Sequence, residues 1–253
     1  MTVVVAYKWA ADPGDATVRA DGTIDWSRAK ATISEYDPVA IAVARAAADA
    51  TGEELVGISV GGAAVAGSMA KKAALSRGID RLLISADDST EHWNLTDTGR
   101  ALAALATRAG ATLVVTGDAS IDESAHLVPA VLAGALGWPC FQAVSSLSPD
   151  GGGWLITQAI PGGQRTVRTD GPVVVAMSPD AAEVKIPGMK DILAAGKKPA
   201  EEVPLAELDH TPVGASLVAA AKPAARERKN VILRGPSAAR ELVDALAQEG
   251  ALA

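Results

Sequence analysis

The chain has 253 residues, 49% of them hydrophobic and 21% charged, a composition suited to a globular protein with one main core and room for an extension. With 30 Asp and Glu against 23 Lys and Arg, the formal charge of −7 excludes a general binder of nucleic acid or anionic membrane, because neither surface attracts an acidic protein. No apolar run approaches the roughly 20 residues of a membrane span, Met1–Lys8 lacks the pattern of a signal peptide, and the lone Cys140 can form no internal disulfide, so the expected compartment is the cytoplasm.

Aromatic residues make up only 3% of the chain, so the core must be built from Val, Leu, Ile and Ala. Thr2–Ala6 is a continuous β-branched run and reads as a buried strand. Asp21-Gly22, between Thr17–Arg19 and Thr23–Trp26, reads as a hairpin turn. Asp37-Pro38 should open a helix, with Asp37 as its cap, and Gly52 should end it. Leu55–Val60, Arg81–Ser85 and Thr112–Thr116 follow as strands, with helices between them ending near Gly78 and Arg108. Strands alternating with helices of this length indicate βαβ units and a parallel sheet. A helix from about Ala125 should close at Gly137. Beyond Pro139, Trp154–Ile160, Gln164–Thr169 and Pro172–Met177 read as strands without intervening helices, so part of the sheet should be antiparallel. Residues 179–212 are rich in Pro and Gly and read as an exposed excursion, with short helices expected at Ala215–Ala221 and Ser237–Ala247.

The stretch most informative about function is Gly117-Asp118-Ala119-Ser120-Ile121-Asp122-Glu123-Ser124-Ala125-His126-Leu127-Val128, running from a strand's carboxyl end into a helix amino terminus. Ligands bind at such places in open α/β sheets, because free amides and the helix dipole converge there. Pro129 belongs in the first helical turn, which leaves the amides of Ser124 to Val128 available to a phosphate, with Asp122 orienting or capping. The same stretch also reads as an ordinary βα connection in which Asp122 or Ser124 caps its own helix. Gly61-Gly62 is neither a Walker loop nor GxGxxG and reads as a tight turn. His92, His126, His210 and Cys140 lack metal-ligand spacing, and no catalytic residue is expected.

Five stretches, in order, carry a resemblance to a known family: Val3–Lys8; Ser34-Glu35-Tyr36-Asp37-Pro38; Ala74-Leu75-Ser76-Arg77-Gly78-Ile79-Asp80-Arg81; the Gly117–Val128 loop; and Met189-Lys190-Asp191-Ile192-Leu193 through Pro199, with Ile160-Pro161-Gly162-Gly163 and Gly171–Val175 between the last two. The chain resembles the beta subunit of electron-transfer flavoproteins. That resemblance implies a doubly wound, mostly parallel α/β sheet of the adenine-nucleotide alpha-hydrolase type, with an antiparallel portion and a carboxy-terminal arm. It implies no catalysis by this chain itself. It also implies a structural AMP, FAD shared with and held mainly by an alpha subunit, and a flavin-linked dehydrogenase as electron donor. By position, the nucleotide site would comprise Ala6, Ser34, Tyr36, Asp37, Val60, Gly117, Asp118, Ile121, Asp122, Ser124, Ala125, His126, Leu127 and Val128. A docking loop would carry Met189, Ile192 and Leu193, with Met189 where relatives have an anchoring leucine. The implied parts are a nucleotide-binding domain at 1–180, the loop at 181–200 and an arm at 201–253 that packs on the partner. The chain departs from the family pattern at Leu127-Val128-Pro129, at Ser34, where asparagine is usual, and at Ala159, where relatives have a glutamate. Two other readings share the strand–helix pattern: a single-chain nucleotide-binding protein of the universal-stress type, and a bifurcating relative with a second FAD in place of AMP. No SGGxDS-type pyrophosphate loop supports a third, an adenylate-activating enzyme.

Overall fold

A computed structural model describes residues 2–208, 213, 224, 227 and 229–252 of the chain. The helix expected at Ala215–Ala221 lies outside them.

The chain opens with β1 (Val3–Ala6), buried on both faces. It then leaves the sheet through β2 (Trp9–Ala11) and a small hairpin of β3 (Thr17–Val18) and β4 (Ile24–Asp25). The hairpin turns where expected, with Gly22 at φ 86° and Asp21 accepting from the Thr23 amide. β5 (Ala31–Ile33) returns antiparallel to β2. Next come α1 (Asp37–Thr51), ended by a left-handed Gly52, and β6 (Leu55–Gly61). α2 (Ser68–Leu75), β7 (Arg81–Ala86), α3 (Leu95–Arg108) and β8 (Leu113–Gly117) continue the alternation. α4 (Val128–Leu136) closes at a left-handed Gly137, as its sequence predicts. Three long strands, β9 (Cys140–Asp150), β10 (Gly153–Ile160) and β11 (Gly163–Thr169), form a meander, and β12 (Val173–Met177) returns to the centre. α5 (Met189–Ala195), β13 (Ala200–Glu202) and α6 (Ala238–Gln248) complete the described elements.

Among the described residues nine strands form one sheet, ordered β11-β10-β9-β12-β8-β1-β6-β7-β13. From β9 to β13 neighbours run parallel, and β10 and β11 add antiparallel at one edge. The expected α/β architecture with an antiparallel portion is the architecture found. Alternating side chains divide the core in two. Val3, Val5 and Leu55 face α1 and α2, while Val4, Val56 and Ile58 face α3 and α4. Each fully buried Leu or Ile contributes about 1.5–3 kcal/mol, and with so few aromatics it is the number of such residues that holds the sheet.

Chain order places the site. β1 leads through α1 to β6 on one side, and β7 leads back through α3 to β8 on the other. The winding therefore reverses between β1 and β8, and their carboxyl ends border a crevice, the place where open α/β sheets bind ligands.

Four expectations need correction. β9 was not foreseen, because Cys140–Asp150 is polar, contains Pro149 and lacks clean alternation. The helix expected from about Ala125 begins at Val128 with Pro129 in its first turn. Residues 179–212 are not exposed throughout: Ala195, Val203 and Leu208 are buried, and β13 pairs with β7 at the sheet edge. Asp37 is the first residue of α1 rather than its cap; Tyr36 occupies the cap position without a side-chain bond.

The described residues fall into two compact units, 1–220 and 221–253. In the second, α6 buries none of its residues, Ser237 Oγ lies 2.7 Å from Glu241, and Lys229 pairs with Glu249. No described helix is long and apolar enough to cross a membrane.

Candidate functional site at the carboxyl ends of the central strands

The crevice is built around Asp37. After β1, the Tyr7 amide still bonds to Ile58, and the chain then turns away at Lys8. The Lys8 amide donates to Asp37 Oδ2 at 2.7 Å, and the Gly117 amide at the end of β8 also donates to the Asp37 carboxylate. One carboxylate thus ties the ends of β1 and β8 to the start of α1. Burial pushes its pKa up to about 7, against the lowering effect of the Lys8 and Gly117 amides and the Lys8 charge; the nearby Asp122 raises it further. Gly117 leaves no room for a side chain, since a Cβ there would meet Asp37 Oδ1 at 2.8 Å and Tyr36 Cβ at 2.9 Å.

Across the mouth, Lys8 Nζ sits 2.6 Å from Asp122 and 3.6 Å from Glu123. Burial alone would raise the Asp122 pKa, but hydrogen bonds from Lys8 and Ser120 outweigh it and hold the carboxyl below its usual range. The Lys8–Asp122 pair is open enough to water to add at most about 1 kcal/mol, so Lys8 can turn toward an incoming anion at little cost. Lys8, Ser34, Ile121 and Asp122 line one shallow pocket.

Two buried polar atoms here lack partners among the described residues, Ser34 Oγ and Tyr7 Oη. Burial raises the Tyr7 pKa well above its ordinary value, with the Asp37 charge adding to it. An unsatisfied buried hydroxyl costs about 1–3 kcal/mol, so each of these two calls for a partner from outside the described residues.

The loop from Asp118 to Leu127 forms the other wall. Its Ser124 amide is not free as expected, because it donates to Ser120 O at 2.8 Å. The amides of Ala125, His126 and Leu127 have no acceptor among the described residues. His126 has φ 51°, and Leu127 follows at φ −101°, ψ −38°. A left-handed residue followed by a right-handed one turns successive N–H groups into one concavity, an anion nest, here at the amino terminus of α4.

Of the residues expected at the site, Ser34, Ile121 and Asp122 line the pocket, Tyr36, Asp37 and Gly117 pack together at the ends of α1 and β8, and Ala6 is the last residue of β1. Val60 lies near the end of β6, two residues beyond Ile58, the register partner of Ala6. Ser124, Ala125, His126, Leu127 and Val128 form the nest side, where Asp118 Oδ2 approaches His126 Nδ1 at 3.4 Å. Sequence reasoning missed Lys8, although its place just past a buried strand's carboxyl end was a usable signal. It also missed Gln142, which donates to the His126 carbonyl at 2.6 Å. Burial, then the Asp118 charge, pushes the Cys140 thiol up to about 11, which disfavours its thiolate. Met189, Ile192 and Leu193 sit apart on α5 and are exposed, Met189 at 73%, whereas Ala195 at its end joins the core.

What this region offers is a cation, an orphaned hydroxyl and, on the neighbouring loop, an anion nest, which is equipment for holding a ligand. The sequence model of the electron transfer flavoprotein domain matches residues 21–208, well over half of the chain. Proteins of that family are electron carriers rather than catalytic enzymes. With this match over the greater part of its length, the chain belongs to the electron transfer flavoprotein family.

Proposed function

We propose that the chain is the beta subunit of an electron transfer flavoprotein. It holds AMP as a structural ligand in the crevice between β1 and β8, and it pairs with an alpha subunit that carries most of the FAD. A flavin-linked dehydrogenase docks on it and delivers electrons, which pass by way of FAD toward the respiratory chain. FAD, when bound, supplies the redox chemistry. The residues of this chain bind, orient and dock.

The observation that carries the reading is Ser34 Oγ, buried without a partner on the wall that also presents Lys8 and Asp122. A ligand with a hydrogen-bonding ring edge and an anionic tail satisfies that wall and the nest of His126 to Val128 together. Residues Ser34 and Asp37 would border the nucleoside, and the nest and Lys8 the phosphate. For docking, Met189 and Leu193 expose apolar surface on α5, with Ile186 at 93% exposure just before it. For pairing, α6 presents Leu242 and Val243 outward, and Val231 and Ile232 are exposed ahead of it. These suit an arm that wraps a partner across an interface in the roughly 2,000 Å² class of obligate complexes.

The test is purification with whatever accompanies the chain. The reading requires a yellow heterodimer with an alpha-type chain, releasing FAD and AMP in equal amounts. Two FAD and no AMP would instead indicate a bifurcating relative. A colourless monomer or homodimer contradicts the beta-subunit role.

A further inference from the structure

Gln142 connects the nest to the antiparallel edge of the sheet. In β9 the register slips against β12: Phe141 pairs with Val175 and Val144 with Met177, so Gln142 and Ala143 together stand opposite the single Ala176. Bulges of this kind re-aim side chains, often beside functional sites. Here the bulge grips the loop twice. Gln142 Nε2 donates to the His126 carbonyl at 2.6 Å, and the Ala143 amide donates to Asp118 Oδ1 at 3.2 Å.

The grip is itself held from behind. Gln158 on β10, a buried polar residue, donates to the Gln142 carbonyl at 2.7 Å, and its Oε1 accepts from Arg165 Nε on β11 at 2.9 Å. Two of the four non-glycine residues with positive φ among the described residues, His126 and Ala143, lie along this one contact, and a third, Ser124, is two residues from His126. Such backbone persists only where its surroundings over-determine it. The His126 carbonyl is the handle, because the peptide that carries it also carries the Leu127 amide, the centre of the nest.

We propose that Gln142, backed by Gln158 and Arg165, is a positioning residue that preorganises the phosphate-binding amides of His126, Leu127 and Val128. The inference rests on the nucleotide reading above. It assigns the relay to the phosphate alone and leaves the nucleoside contacts of the Ser34 wall outside it. Without the Gln142 hydrogen bond the His126 peptide is free to rotate, and its neighbours no longer point at a common acceptor.

The experiment is calorimetric titration of the purified full-length chain, stripped of bound nucleotide, with AMP and with adenosine. Gln142→Met keeps the volume and removes the donor. It should weaken AMP roughly tenfold, the worth of one hydrogen bond, while adenosine affinity stays within twofold of wild type. Arg165→Met, at an exposed position that does not threaten folding, should weaken AMP by about threefold with the same selectivity, and it decides the matter should Gln142→Met not fold. Unchanged AMP binding in these variants, or equal losses for AMP and adenosine, would overturn the relay. Wild-type protein that binds neither ligand refutes the nucleotide reading itself and the relay's role with it.

Discussion

Asp37 makes the crevice sensitive to pH in a direction opposite to that of an ordinary paired carboxylate. A free Asp titrates near 3.8, whereas buried Asp37 titrates at about 7. Between those values the folded chain keeps a proton that the unfolded chain has lost. The stability contributed by that proton is therefore full below about pH 4 and is lost as pH rises through 7. One proton corresponds to about 1.4 kcal/mol per pH unit, so the loss from pH 5 to pH 7 is about 2 kcal/mol once the final rounding near the pKa is included. Asp80 and Asp122 titrate below their usual values and stay ionised throughout that window, so they do not oppose the trend. Asp37 is 6% exposed, and solvent does little to screen it. The perturbation is Asp37→Asn, which cannot ionise and can still accept from the Lys8 amide. Urea unfolding of both proteins at pH 5, 6, 7 and 8 isolates the effect from the general charge of the chain. The wild type should lose about 2 kcal/mol relative to the variant between pH 5 and pH 7. A difference that stays flat, or that grows in favour of the wild type with rising pH, would mean that Asp37 is ionised and paired at pH 5, and the burial argument would be wrong.

Two further outcomes follow from close approach and from exposure. Gly117→Ala forces a methyl group against Asp37 and Tyr36 and should cost about 1–3 kcal/mol by overpacking, whereas Gly134→Ala in α4, where nothing lies within 4 Å, should be neutral or stabilising by up to about 1 kcal/mol; thermal melts compare the two. Met189→Ala should leave flavin content and stability unchanged, yet raise the apparent KM for the cognate dehydrogenase by roughly 10- to 150-fold, the equivalent of burying that side chain on a partner; normal kinetics with lowered stability would place Met189 in a core instead.

How much of this was legible in the sequence depended on how far each interaction reached. The buried strands announced themselves because parallel strands covered on both faces are continuous apolar runs, as in Val3–Ala6 and Leu113–Gly117. Gly52 and Gly137 marked helix ends because a left-handed residue there favours glycine. The loop at 117–128 was readable as a candidate site because chain order alone puts it at a strand's carboxyl end. Asp37 was misread because local grammar makes Asp before Pro a cap, while its actual partners lie 29 residues away on Lys8 and 80 away on Gly117. β9 stayed hidden because its bulge breaks alternation and its polar residues serve the loop rather than the core. Gln142 could not be found for the same reason: nothing in its neighbourhood of sequence refers to His126.

The claim that the crevice between β1 and β8 holds a nucleotide is tested most directly by denaturing the purified chain and chromatographing the supernatant. One equivalent of AMP per chain is predicted, with a stripped sample taking up AMP again at the same stoichiometry. A chain that releases no AMP, ADP or flavin of its own, and that takes up none when stripped and titrated, would contradict the account.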